Sequence, residues 1–122
     1  MNTRDAFGLE GERMAEKFLR TRGLKIIARR WRTRSGEIDL VAMDGDEVVF
    51  VEVKARHSTW HGTPAEAVTR TKRDNLRATA AAFLKVKHFI RARYRIDVIA
   101  IDASCADSPR ITYIRSAVGA DN

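Results

Sequence analysis

Two short stretches of the chain could do chemistry together: Gly36-Glu37-Ile38-Asp39-Leu40 and Glu52-Val53-Lys54. Each sets ionisable groups among aliphatic residues. Burying a carboxylate without a partner costs roughly several kcal/mol, so acids in such company call for a cation. Two carboxylates beside a lysine offer hard oxygen ligands to a divalent ion such as Mg²⁺ or Mn²⁺. A metal, two acids and an ammonium group together suit the cleavage of a phosphodiester.

The elements that would position them are two strands. Residues 37–43 and 47–54 are rich in β-branched and aliphatic side chains, and Asp44-Gly45 lies between them. An Asp-Gly pair in that setting is a strong hairpin signal. With Asp44-Gly45 as the turn, Met43 pairs with Asp46, Asp39 falls opposite Phe50, and Glu52 is one diagonal step away. A four-residue loop instead puts Asp39 opposite Glu52. Either even-length loop keeps Asp39, Glu52 and Lys54 on one face, whereas an odd loop separates them. Ile38, Leu40, Val49, Val51 and Val53 then form an apolar opposite face. Taken alone, Glu-x-Lys also fits a solvated strand face carrying a surface ion pair.

Around the hairpin, residues 6–22 are expected to be a helix stopped by Gly23, with Met14, Ala15, Phe18 and Leu19 at helical spacing. Glu12 lies on its buried side, with Glu10 and Glu16 outward or flanking. Glu12 is open to two interpretations: a site residue, or an acid placed near the positive helix end. Residues 24–31 are expected to be a strand. Residues 55–62, with His57, Trp60 and His61, are expected to be a loop. Thr63-Pro64-Ala65-Glu66 resembles a capping box opening a helix that runs to about Val86, with a break near Thr71. Its apolar stripe is Ala65, Val68, Leu76, Ala80, Phe83 and Leu84. Lys72 falls on that stripe, either facing something negative such as a phosphate or snorkelling to water. Residues 94–102 and 110–115 are expected to pair as strands across a turn near Asp107-Ser108-Pro109. Asp97 is expected to be a structural acid held by an arginine. The order helix, three strands, helix, two strands implies an α/β fold with a mixed sheet of about five strands flanked by helices.

At 122 residues the chain is the size of one domain, taken as 1–122 with 116–122 as a tail. Its hydrophobic content of 44% argues against disorder, and its net charge of +7 favours a polyanionic partner. Two basic clusters stand out: Arg29, Arg30, Arg32 and Arg34 around Trp31, and Lys85, Lys87, Arg91, Arg93 and Arg95. With Arg56 and Lys72, the two clusters supply candidate nucleic-acid contacts of the sequence-independent kind, although either cluster also fits a solvated surface. The single cysteine, Cys105, permits no internal disulfide, and no apolar run spans a membrane, so a cytoplasmic location is expected. His57, His61 and His88 lack the partners of a zinc site. Ser35, Ser58 and Cys105 have no recognisable base for nucleophilic catalysis.

The pattern Gly11-Glu12, Gly36-Glu37-Ile38-Asp39-Leu40, Phe50-Val51-Glu52-Val53-Lys54-Ala55-Arg56, Gly62, Lys72 and Arg95-Ile96-Asp97-Val98 resembles the YraN family of small bacterial proteins, over nearly the whole chain. The resemblance implies a restriction-endonuclease-like fold, similar to archaeal Holliday-junction resolvases, and a Mg²⁺-dependent (or Mn²⁺-dependent) DNA endonuclease acting on branched or structured DNA in recombination or repair. It assigns Asp39, Glu52, the Val53 carbonyl and Glu12 to the metal, and Lys54 to the attacking water. Ile38 stands where many such nucleases have proline, a residue with no chemical part. The resolvases further imply a homodimer. Two other functions stay open on the residues: a non-catalytic nucleic-acid-binding module of the same fold, and a basic domain that docks an acidic protein.

Overall fold

The computed structural model describes residues 3–56, 69–89, 91–102 and 109–118, with side chains from Gly8 onward and Arg56 as backbone only. The order is α1 (Thr3–Thr21), β1 (Lys25–Thr33), β2 (Gly36–Asp44), β3 (Glu47–Arg56), α2 (Arg70–Val86), β4 (Tyr94–Asp102) and β5 (Arg110–Val118). The strands form one sheet in the order β1-β2-β3-β4-β5. Only β3 and β4 run parallel, and the chain passes through α2 between them; the other neighbours are antiparallel. The result is a mixed α/β layer structure consistent with the restriction-endonuclease-like fold. Among the described residues, no helix is long and apolar enough to cross a membrane.

Each face of the sheet has its own core. On one, Ala15 and Leu19 of α1 pack with Leu40, Ala42, Val49, Val51, Ile99 and Ile101. On the other, Leu76, Ala80, Phe83 and Leu84 of α2 pack with Ile38, Val41, Val48, Phe50 and Val98. Strands buried on both faces explain why their sequence is nearly continuous in aliphatics. They also correct the expectation of a single apolar face on the hairpin, since Val48 and Phe50 are as buried as Val49 and Val51.

The hairpin turn is Gly45-Asp46, because Asp44 pairs with Glu47 and Met43 with Val48. Gly45 takes φ +60°, the left-handed value that a II′ turn requires at its first central residue. The turn expected at Asp44-Gly45 is therefore one residue out, and the pairing is that of the longer loop. At the other end, β5 continues through Val118, which is buried. A tail from residue 116 is thus ruled out up to that point. Helix α2 begins at Arg70, capped by Thr69, whose hydroxyl accepts the Lys72 N–H at 3.2 Å. The capping box at Thr63, the apolar positions Ala65 and Val68, the loop histidines, Gly62, Cys105 and the turn residues Asp107 and Ser108 lie outside the described residues.

Candidate active site

Strands β2 and β3 stay paired only as far as Leu40 and Val51. One residue further along the same register, Asp39 lies across from Glu52. There the two strands part, β2 keeping its bonds to β1 and β3 its bonds to β4. The Asp39 carboxylate enters the gap, and its Oδ2 accepts the Val53 N–H at 2.8 Å. An acid thus replaces a backbone carbonyl as the partner of a strand amide, which fixes its direction.

The edge strand is kinked at the same level. Arg29 pairs with Leu40 and Trp31 with Ile38, so Arg30 sits across from Asp39. Arg30 has φ +47°, a left-handed conformation that costs a non-glycine residue about 1 kcal/mol or more. Side-chain alternation breaks at this point. Ile38 faces α2 while Leu40 faces α1, although period-two counting puts them on one face. Local irregularities of this kind re-aim side chains beside sites.

Glu52 follows Val51 and points to the α2 side. It is 4% exposed; its Oε1 lies 3.1 Å from the Lys72 ammonium and 3.5 Å from that of Lys54. Its Oε2 is buried and has no hydrogen-bond partner among the described residues, which is rare for a carboxylate oxygen. Lys72 therefore faces a negative charge, the Glu52 carboxylate of this chain. The first turn of α2 contains no acid and presents Arg70, Lys72 and Arg73 at the positive helix end, where cations are disfavoured unless an anion is nearby.

From the other layer, α1 contributes Glu12. Gly11 allows this: a Cβ built there would stand 2.8 Å from the Ala55 Cβ on β3, so only glycine lets the helix lie this close. Glu12 is held by Arg30 through two bonds of 2.9 and 3.1 Å. One turn on, Glu16 is held by Arg29 at 2.7 and 2.8 Å and by Arg20 at 2.8 Å. Glu16, expected outward or flanking, has a side chain as covered as that of Glu12 because these arginines close over it. The two acids pin α1 to β1 along a groove of about 620 Å³.

Burial raises the Asp39 pKa from its usual value to about 7, helped by repulsion from Glu52 and Glu12 and opposed by the Val53 N–H and by Lys72. Asp39, Glu52, Glu12, Lys54 and Lys72 therefore share one neighbourhood, with Val53 between Glu52 and Lys54. Among the described residues, no three His, Cys, Asp or Glu side chains are gathered as a ready metal cage. Mg²⁺ needs only one or two carboxylates, with water and substrate phosphate completing its shell. The orphaned Glu52 oxygen and the destabilised Asp39 charge fit a hard cation; Glu12 fits once Arg30 lets it go.

Of the other expected contacts, Arg32 lies 3.5 Å from Glu37 and is exposed, Arg34 is exposed, and the Arg56 side chain lies outside the described residues. Arg95 is corrected outright. It is buried and bonded to Asp97, Asp44, Glu47 and Tyr113, so it cannot belong to a basic surface. Burial opposes its charge, but hydrogen bonds with Tyr113, Asp97 and Glu47 outweigh that and raise its pKa. The clamp of Glu12 by Arg30 was not legible in the sequence. The only signal was an arginine-rich edge strand following an acid-bearing helix.

The family described as "Uncharacterised protein family UPF0102" matches residues 11–101. A UPF0102 protein of Beutenbergia cavernae is 47% identical over 116 residues, covering 94% of this chain and 98% of that protein. A UPF0102 protein of Rhodococcus opacus is 44% identical over 112 residues, covering 92% and 95%. One of Nocardia farcinica is 41% identical over 113 residues, covering 93% and 89%. The chain belongs to the UPF0102 family, which is the YraN family of the resemblance above.

Proposed function

We propose that this UPF0102 protein is a metal-dependent endonuclease that hydrolyses DNA phosphodiester bonds, with Mg²⁺ or Mn²⁺ as cofactor. The observation that carries this reading is Glu52, a buried carboxylate with one oxygen unpartnered among the described residues, opposite the desolvated Asp39. A divalent ion, when bound, would polarise a phosphoryl oxygen and lower the pKa of water. Asp39 and Glu52 would supply its hard oxygen ligands, joined by the Val53 carbonyl and Glu12. The Val53 N–H holds Asp39 in one orientation, so little reorganisation is needed at the moment of reaction. Lys54 and Lys72, already beside Glu52, offer fixed positive charge to the anion that grows at phosphorus. Arg30, Arg32, Arg34 and Arg56 would meet flanking phosphates. Branched or structured DNA in the cytoplasm, during recombination or repair, is the proposed setting, and a homodimer the proposed assembly.

One observation favours a second reading, a nucleic-acid-binding module without catalysis: Arg30 and Lys72 already neutralise Glu12 and one oxygen of Glu52. Incubation with branched, single-stranded and duplex DNA, with Mg²⁺, Mn²⁺ or chelator, separates the two. Metal-dependent cuts that disappear in Glu52→Ala and Lys54→Ala, with binding retained, are expected of the enzyme. Tight binding without cuts on any substrate would leave the module.

A further inference from the structure

The groove between α1 and β1 begins at the site, since Glu12, Arg30 and Leu40 line it, and it has a use that the metal chemistry does not absorb. Arg13, Lys17 and Arg20 recur along one side of α1 and form one bank; Arg29 and Arg30 form the other. The floor is apolar, with Leu9 and Leu40. Its two acids are already compensated, Glu12 by Arg30 and Glu16 by Arg29 and Arg20. Arg13 and Lys17 are exposed, and neither forms an ion pair among the described residues. The channel therefore carries surplus positive charge on its α1 bank and leads to the carboxylates, the electrostatic form of a path for a polyanion. Its volume of about 620 Å³ is that of a pocket that encloses one ligand-sized group. That is room for about one or two nucleotides of one strand and too little for a double helix.

We infer that this groove is the track for an unpaired nucleic-acid strand, whose phosphates lie against Arg13 and Lys17 on the way to Asp39 and Glu52. The inference rests on the proposed nuclease or binding role and names the part of the substrate that enters. Because no aromatic residue lines the groove among the described residues, hold on the strand is assigned to its cations.

The test measures binding of fluorescent oligo(dT) and of a blunt duplex of equal length across a salt series, with chelator present. Wild type is compared with Arg13→Ala/Lys17→Ala and with the control Arg110→Ala/Arg115→Ala on β5, at the opposite edge of the sheet. All four positions are exposed, and alanine suits the helix that carries Arg13 and Lys17, so folding is preserved. Single-strand binding in the groove variant is expected to weaken about tenfold at low salt. Its log–log salt slope should become shallower by about 1.4, or about 0.7 for each phosphate that is no longer neutralised. The control should match wild type, and the duplex should bind more weakly than the single strand. An unchanged slope in the groove variant, or a duplex held as tightly as oligo(dT), overturns the track while leaving nucleic-acid binding intact. Failure of wild type to bind either probe overturns the track and the function it rests on.

Discussion

Asp39 is the residue at which strand pairing, kink and charge meet, and its protonation should be visible without any substrate. Burial and the nearby acids lift its pKa to about 7, so between pH 4 and 7 the folded chain holds a proton that the unfolded chain has released. Stability from this group is therefore complete below the ordinary carboxylate pKa and is lost as pH rises through the folded one. The loss is at most about 1.4 kcal/mol per pH unit. In chelator, denaturant melts should show wild type losing stability relative to Asp39→Asn as pH rises from 5 to 7; a constant difference would contradict the assignment. Arg30 offers a second residue-scale test, because two effects can be separated there. Its bonds to Glu12 are lost in both Arg30→Ala and Arg30→Gly, but only glycine is at ease with φ +47°. The glycine variant should be more stable than the alanine variant by about 1 kcal/mol, and the reverse order would remove backbone strain from this corner.

At the scale of elements, the site exists because a helix and two diverging strands are fixed relative to one another. The hairpin was legible: β-branched runs and an Asp-Gly pair gave both strands, and parity put Asp39, Glu52 and Lys54 together whichever even-length loop formed. Register was legible only to that parity, since Asp44-Gly45 and Gly45-Asp46 are equally good turns on paper. Face was misjudged at Ile38, because the break in alternation lies beside a left-handed residue on a neighbouring strand, which β2 alone does not announce. The approach of α1 to β3 at Gly11 is another such long-range fact. Gly11→Ala puts a methyl 2.8 Å from the Ala55 Cβ, so the helix must shift. A loss of about 1–3 kcal/mol is expected, and Ala55→Gly should recover part of it in the double variant. If the two substitutions are simply additive in denaturant melts, the contact does not set the helix position.

On the scale of the whole molecule, the sheet is tied at its far end by a polar node that composition conceals. Asp97 and Arg95 were legible as an acid and an arginine on one strand face, but four of the node's partners come from other strands. Asp44 and Glu47 flank the β2–β3 turn, and Tyr113 lies on β5. Counting Arg95 among surface cations was the natural error of reading charge along the chain instead of across it. Asp97, fully buried, accepts from Arg95, from the Tyr113 hydroxyl and from the Ser116 N–H. Ser116 itself has φ +52°, beside the register shift between β4 and β5. Burial and the bond to Asp97 raise the Tyr113 pKa, so the phenol stays protonated and donating. One group thus holds β4, β5 and, through Arg95, the hairpin that carries Asp39 and Glu52. Asp97→Ala leaves the Arg95 charge buried with less than its full complement of partners, and about 3–5 kcal/mol should be lost. Replacing both residues by leucine removes the orphaned charge along with its partner. Arg95→Leu/Asp97→Leu should therefore be more stable in urea than Asp97→Ala alone. A double variant less stable than the single one would mean that the node contributes net stability, beyond avoiding an unpaired charge.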